Sequence, residues 1–313
     1  MRFINQYNEG DMIREVLLCK STAVLQAKTG KNYMALTLQD KTGTVDGKVW
    51  DITNGIGNFD ALDYILVEGR VTVFQGANQL NITRIRKADP GEYDEMNYIP
   101  CSERNIDEMF EELKKIIASV KEPHLNALLK SFFTYDQEFA EKFKKHSAAK
   151  CVHHGFAGGL LEHTLGVANL CNYLAGAYAH INRDLLLTAA ILHDIGKMDE
   201  LSYFPENDYT DDGNMLGHIF IGAEKVSAHA ARIEGFPAVL KSELVHCILA
   251  HHGEFEYGSP KKPAITEAIA LSMADNLDAK METMKELLEK PDLGNGWYGF
   301  QRILDSNIRR TDI

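Results

Sequence analysis

The densest chemistry in the sequence is the run ILHDIGK, where His193 and Asp194 stand side by side at the end of the apolar stretch DLLLTAAILHD, just ahead of Gly196. Neighbouring residues point in different directions on a helix. The two can therefore serve one centre only where the helix unwinds, or where the aspartate bridges two ions. A lone His-Asp dipeptide arises often by chance, but further donors recur in helical contexts. They are His163 in GGLLEHTLGV, His218 in GHIFIG, His246, His251 and His252 in ELVHCILAHHGE, and Asp275 in LSMADNLDAK. Taken singly, each reads as a hydrogen-bonded buried histidine or a helix-end aspartate. Taken together they leave several unpaired titratable groups on apolar helices such as LLEHTLGVANL and AIALSMADNL. That arrangement is costly unless a cation is bound. Mixed imidazole and carboxylate donors suit Mn, Fe, Zn or Ni better than Mg or Ca.

Two further features belong to the same region. Lys197 lies one helical turn after Asp194, where its ammonium could meet a phosphate as a point charge. His153 and His154, in HHGFAGGLLEH, precede a Gly-rich turn that opens a helix. Such a turn can offer backbone N–H groups to an anion, and it serves equally as a plain helix entry.

The ordered set H…HD…H…H…D over roughly residues 150–280 resembles the HD superfamily of metal-dependent phosphohydrolases. The resemblance implies that His163, His193, Asp194 and Asp275 hold one metal. Asp194 would bridge to a second, held also by His218 and by His251 or its neighbour His252. Paired ions lower the pKa of a water toward neutrality and neutralise charge on a phosphoryl group, so Asp194 and Lys197 are the expected catalytic positions.

The elements that must position these residues are helical. Asn105 and Glu108 form a capping-box pattern, and Ile106, Met109, Leu113, Ile116 and Val120 follow at helical spacing. Pro123 ends that helix and LNALLKSFF begins another. From there to about residue 290 nearly every segment reads as helix, with loops expected at 153–159 and 202–217. The front differs. Residues 12–90 alternate with period two: Met34, Leu36 and Leu38 share one face, and Ile65, Val67, Val71 and Val73 share another. About five strands are separated by turns such as KTGT and FQGANQ. The Gly-rich ITNGIGNFDALDY lies between the third and fourth strands, where a short helix is expected to close a small OB-type barrel. Tyr33, Trp50 and Phe74 fall on the polar phase of their strands beside Thr37, Lys48 and Arg70. Outward aromatics interleaved with cations are what base stacking along a single strand requires; an apolar contact between domains would use the same rings.

Composition excludes several classes. With 45% apolar and 25% charged residues and only 8 prolines, the chain is neither disordered nor collagen-like. No window approaches a membrane span, and the start MRFINQYNEGDMIREV has no apolar core, so no secretory leader is expected. The 5 cysteines are an odd number without CxxC spacing, which points to reduced thiols in the cytoplasm. The net charge of −12 is uneven: residues 1–90 carry 11 Lys and Arg against 10 Asp and Glu, and all 12 histidines lie at or after His124. A polyanion partner would thus meet the near-neutral front or bound cations.

The expected fold is therefore an OB-like nucleic-acid-binding barrel (1–90), a linker (91–104), a helical connector (105–150), an all-α HD domain (151–290) and a C-terminal tail (291–313). That order, with HHGFAGGLLEHTL, AAILHDIGK and MLGHIFIG in place, resembles the YhaM-type 3′→5′ exoribonucleases along essentially the full length. The resemblance implies a cytoplasmic enzyme that uses a divalent metal, Mn²⁺ foremost, to trim single-stranded RNA, and single-stranded DNA as well, to nucleoside monophosphates. Tyr33, Lys48, Trp50, Arg70 and Phe74 are the expected strand-binding residues. A homo-oligomer built through WYGFQRILDSNIRR is one use of the tail; donation of Arg302, Arg309 and Arg310 to the substrate is another. Two other readings are an HD-type nucleotide phosphohydrolase or cyclic-nucleotide phosphodiesterase, and a single-strand-binding regulator with a structural metal.

Overall fold

The computed structural model describes residues 1–27, 30–150 and 154–311. The chain divides into two units, Met1–Cys101 with the short stretch Phe204–Glu206, and Ser102–Tyr203 with Asn207–Ile313.

The first unit is a closed barrel of β1 (Met12–Gln26), β2 (Asn32–Asp40), β3 (Gly43–Val49), β4 (Tyr64–Phe74) and β5 (Ala77–Lys87), in the order β1-β2-β3-β5-β4. Only β3 and β5 run parallel, which closes the cylinder. Period-two alternation turns Leu17, Leu36, Leu38, Val45, Val49, Ile65, Val67, Val71, Leu80 and Ile85 inward as a dry core. Opposite Glu68 and Gly69 the register slips by one, making Thr83 the extra residue of a bulge in β5, and a side chain at Gly69 would strike the Asn81 carbonyl at 2.4 Å, so only glycine fits. Val73, expected inside, is 45% exposed because β4 has left the barrel by that point.

Two expectations for this unit need correction. No helix forms in residues 51–63. The Gly-rich segment instead lies along β5, with Gly57 N–H donating to Ile85 O at 2.7 Å and Ile85 N–H to Gly55 O at 2.9 Å. Nor is 91–101 an open linker. Tyr93 stacks on Tyr64 with centroids 4.1 Å apart, Tyr98 is buried with Val16 and Leu18, and Gln39 donates to Tyr98 O at 2.9 Å.

The second unit is helical: α1 (Ile106–Ser119), α2 (Pro123–Phe133), α3 (Gln137–Lys145), α4 (Gly159–Ala177), α5 (Arg183–Leu192), the single turn α6 (Lys197–Glu200), α7 (Asp211–Ala230), α8 (Ala238–Ala250) and α9 (Thr266–Leu288). Asn105 caps α1 by accepting from the N–H groups of Asp107 and Glu108. Pro123 is the first residue of α2 rather than a mere stop. Every residue of α5 from Leu185 to Leu192 is buried, which makes it the central helix of the unit. The loop expected at 202–217 ends early, because Thr210 accepts from Gly213 N–H and starts α7 at Asp211. The C-terminal segment is a hairpin, β6 (Trp297–Gln301) against β7 (Ser306–Arg309). Among the described residues, no helix is long and apolar enough to cross a membrane.

Candidate metal centre

Five segments of the helical unit deliver the donors. His163 sits within α4, and His193 ends α5 with Asp194 just beyond, in the turn that leads to Lys197 and α6. His218 follows a break inside α7, His251 ends α8, and Asp275 lies on α9. At the His-Asp pair the helix tightens into turns closed by Ile195 N–H to Leu192 O at 3.2 Å and Lys197 N–H to Asp194 O at 3.0 Å, and both side chains face one centre. The break in α7 is at Gly217, whose φ of 72° is left-handed backbone that favours glycine.

Asp194 is the pivot, and its two oxygens look in two directions. Oδ2 lies 3.4 Å from both His163 Nε2 and His193 Nε2, while Asp275 Oδ1 stands 3.2 Å from His163 Nε2 and 3.8 Å from His193 Nε2. Oδ1 lies 3.5 Å from His218 Nε2 and 3.6 Å from His251 Nε2. Donors about 2.1 Å from one ion stand roughly 3.0–3.4 Å apart in octahedral or tetrahedral arrangements, so these separations fit ligation. Asp194 Oδ1, His218 Nε2 and His251 Nε2 are buried without a hydrogen-bond partner. Buried polar atoms left unpaired are expensive, and divalent cations satisfy all of them. The residues present therefore fit the divalent metal that an HD domain implies.

The backs of the rings explain why Nε2 faces inward each time. His193 Nδ1 meets Ala190 O at 2.8 Å, and His251 Nδ1 meets Ile248 O at 2.7 Å. His252 Nδ1 meets Tyr257 O at 2.7 Å, His218 Nδ1 meets Glu200 Oε1 at 2.9 Å, and His163 Nδ1 meets Asp278 Oδ2 at 2.7 Å. With an acceptor at Nδ1, the proton stays there and the Nε2 lone pair is free for a metal. His218, His251 and His252 bring donor atoms within 4.8 Å of one another, and His251 also belongs with His193 and Asp194, its Nε2 3.6 Å from Asp194 Oδ1.

Neighbouring charges set the protonation of the cluster. Burial works against the imidazolium of His163, yet the carboxylates of Asp194, Asp275 and Asp278 outweigh it and hold its pKa well above the ordinary value. Burial likewise opposes the charged form of Asp194, but Lys197 and His193 push its pKa well below the usual range. Lys197 Nζ lies 2.7 Å from Asp194 Oδ2. Burial lowers the pKa of His251 and His252, keeping them neutral as ligation requires.

Sequence reasoning missed the residues behind the ligands. Asp278 also takes His154 Nε2 at 3.2 Å, which places His154 in a carboxylate–imidazole chain behind His163. Its only signal was one-turn spacing after Asp275. Gly166 makes room for it, since a Cβ there would meet Asp278 Oδ1 at 2.0 Å. Glu200, in the unremarked run KMDE, orients His218. His153 lies outside the described residues. His246 is apart from the cluster, and its Nε2 accepts from Ala264 N–H at 2.9 Å.

On the barrel, the expected aromatic face is partly assembled. Tyr33 and Trp50 stack on each other with centroids 4.8 Å apart, and Lys48 Nζ is 5.7 Å from the Tyr33 ring. Trp50 is 55% exposed and donates from Nε1 to Asn81. Cross-strand register places Lys48, Asn81 and Arg70 in one row. Phe74 does not join them. It lies four residues beyond Arg70, about 13 Å along β4, at the hairpin end away from Trp50.

The HD domain family matches residues 160–280, the stretch that contains His163, His193, Asp194, His218, His251 and Asp275. A 3′-5′ exoribonuclease YhaM of Listeria innocua is 34% identical over 287 residues, covering 90% of both chains. That of Bacillus velezensis is 35% identical over 283 residues, covering 90% of this chain and 89% of its own. A Geobacillus relative of the same name is 34% identical over 291 residues, covering 92% and 88%. With an HD cluster of this geometry behind a closed five-stranded barrel, and similarity at this level along nine-tenths of its length, the chain belongs to the YhaM family of 3′-5′ exoribonucleases.

Proposed function

We propose that this chain is a divalent-metal-dependent 3′→5′ exoribonuclease that shortens single-stranded RNA to nucleoside monophosphates, with Mn²⁺ as the working ion and single-stranded DNA as a second substrate, acting in the cytoplasm. The observation that carries the reading is Asp194, a buried carboxylate whose oxygens face two separate sets of inward-turned imidazoles. His163, His193, Asp194 and Asp275 would hold one ion. Asp194, His218 and His251 would hold the other, with His252 beside them. Ions bound there supply an activated water and neutralise charge on the scissile phosphate.

The chain's own groups do the rest. Lys197 lines the cavity of about 470 Å³ at the cluster and presents an ammonium to a phosphoryl oxygen. Asp278 and Glu200 fix the rings of His163 and His218, so the ligands need no rearrangement during turnover. The barrel, residues 1–101, would hold the strand with Tyr33, Lys48, Trp50 and Arg70. Phe74, remote from that group, would add a separate contact.

The test is a 5′-labelled single-stranded oligoribonucleotide incubated with the protein and Mn²⁺ or with chelator. A ladder shrinking from the 3′ end only when metal is present is expected. Asp194→Ala should abolish turnover and leave RNA affinity nearly intact. Retention of most of the rate by that variant would refute the assignment, and binding without any turnover would favour a regulator.

A further inference from the structure

The cavity at the cluster has a polarity gradient that the hydrolytic step does not use. Its inner part carries the buried His163 and His251 and the half-buried His218, Asp275 and Lys197. Its exposed part carries two aromatic rings, Tyr209 (48% exposed) and Tyr257 (67% exposed). Tyr257 closes the short turn Phe255–Tyr257, and its backbone carbonyl accepts from His252 Nδ1 at 2.7 Å, which ties this turn to an imidazole of the cluster. Tyr209 pairs with Leu201 in an isolated bridge next to α6, and the Lys150 ammonium lies 6.0 Å from its ring.

A volume of about 470 Å³ falls toward the small end of ligand sites, roughly 300–1,000 Å³. It suits one nucleotide rather than two. A nucleotide has the same gradient, with an anionic phosphate at one end and a flat base at the other. Exposed aromatic rings bind bases by stacking without regard to sequence.

We propose that this cavity is a single-nucleotide subsite in which Tyr209 and Tyr257 stack on the base of the 3′-terminal nucleotide while its phosphate lies against Lys197 and the histidine cluster. The assignment rests on the exoribonuclease reading and adds a base-binding role for two residues outside the histidine–aspartate cluster. It explains how removal of one nucleotide at a time follows from the size of the site: one nucleotide is held, and the bond presented to the cluster is the one joining it to the rest of the strand.

The experiment compares two 5′-labelled single-stranded RNAs, one ordinary and one whose 3′-terminal nucleotide lacks its base, in the first cleavage by the Mn²⁺-loaded protein. Loss of one stacked base is expected to lower kcat/KM by about 5- to 150-fold. Tyr257→Ala and Tyr209→Ala should slow the ordinary substrate within the same range and barely change the abasic one, and Tyr257→Phe should stay near the parent because the ring does the stacking. Equal rates of the parent protein on both RNAs would overturn the proposal. So would losses in the alanine variants that are the same on both substrates, since those would mark a structural role. If the parent protein fails to shorten the ordinary RNA from its 3′ end, the exoribonuclease reading itself fails, and that control separates the two failures.

Discussion

Replacing Asp278 with asparagine keeps the shape of the side chain and removes its charge from behind His163. Burial alone would raise the pKa of this carboxyl. The hydrogen bonds from His154 and His163 prevail and hold it at about 2, against an ordinary value of 3.8. At about 1.4 kcal/mol per factor of ten, that amounts to about 2 kcal/mol favouring the folded, metal-free chain. A carboxylate with a depressed pKa contributes this stability above its ordinary pKa and loses it as the pH falls toward 2, so the full amount is at stake at neutral pH. The same charge draws the Nδ1 proton of His163 across the 2.7 Å hydrogen bond to Asp278 Oδ2 and so leaves Nε2, on the far side of the ring, facing the centre. Removing such a carboxylate typically costs 10- to 100-fold in metal affinity. Asp278→Asn should therefore bind Mn²⁺ about 10- to 100-fold more weakly in competition with a chromophoric chelator, and in chelator it should unfold at lower urea. If both quantities match the parent within twofold, Asp278 does not support His163 and the account of the ligand backing is wrong.

Three other outcomes are expected. Trp50→Ala should weaken single-stranded RNA binding by about 1–3 kcal/mol in fluorescence anisotropy; an unchanged affinity would make the Tyr33–Trp50 stack a structural pair only. Gly217→Ala forces a side chain onto left-handed backbone at a cost of about 1–2 kcal/mol, and it should lower both thermal stability and Mn²⁺ stoichiometry through the displaced His218; retention of both would show that α7 tolerates a straight path. Because carboxylates hold the pKa of metal-free His163 above its usual value, that ring is charged at neutral pH and must lose its proton to ligate. Calorimetry in two buffers of different ionisation enthalpy at pH 7 should show net proton release on Mn²⁺ binding, and affinity should rise with pH until the raised pKa is passed. Proton uptake would contradict this. The stabilisation that the imidazolium gives the metal-free chain runs the opposite way, complete below the ordinary histidine pKa and lost as the pH climbs past the raised one.

The convergence of these donors was legible because histidine and aspartate are conspicuous on apolar helices: His163 among leucines in α4 and Asp275 among alanines in α9. The barrel was legible in its alternation, where Leu36 and Leu38 or Ile65 and Val67 mark the inward face. What backs the ligands left fainter traces. Three of the five Nδ1 acceptors are the carbonyls of Ala190, Ile248 and Tyr257, and a backbone oxygen carries no residue-type signal. Asp278 and Glu200 look like ordinary solvated acids until the fold brings α9 beside α4 and breaks α7. The segment 51–63 misled because glycines that permit a turn permit equally an extended run along β5, and long-range hydrogen bonds to Ile85 decide between them. Phe74 shared the right phase with Trp50, but phase reports a face and says nothing of position along it.

Five imidazoles held from behind at Nδ1 amount to a socket already shaped before anything occupies it. Loading it changes electric charge far more than conformation. The supply of divalent ions would then set the fraction of working molecules, with no refolding delay when the ions return after scarcity.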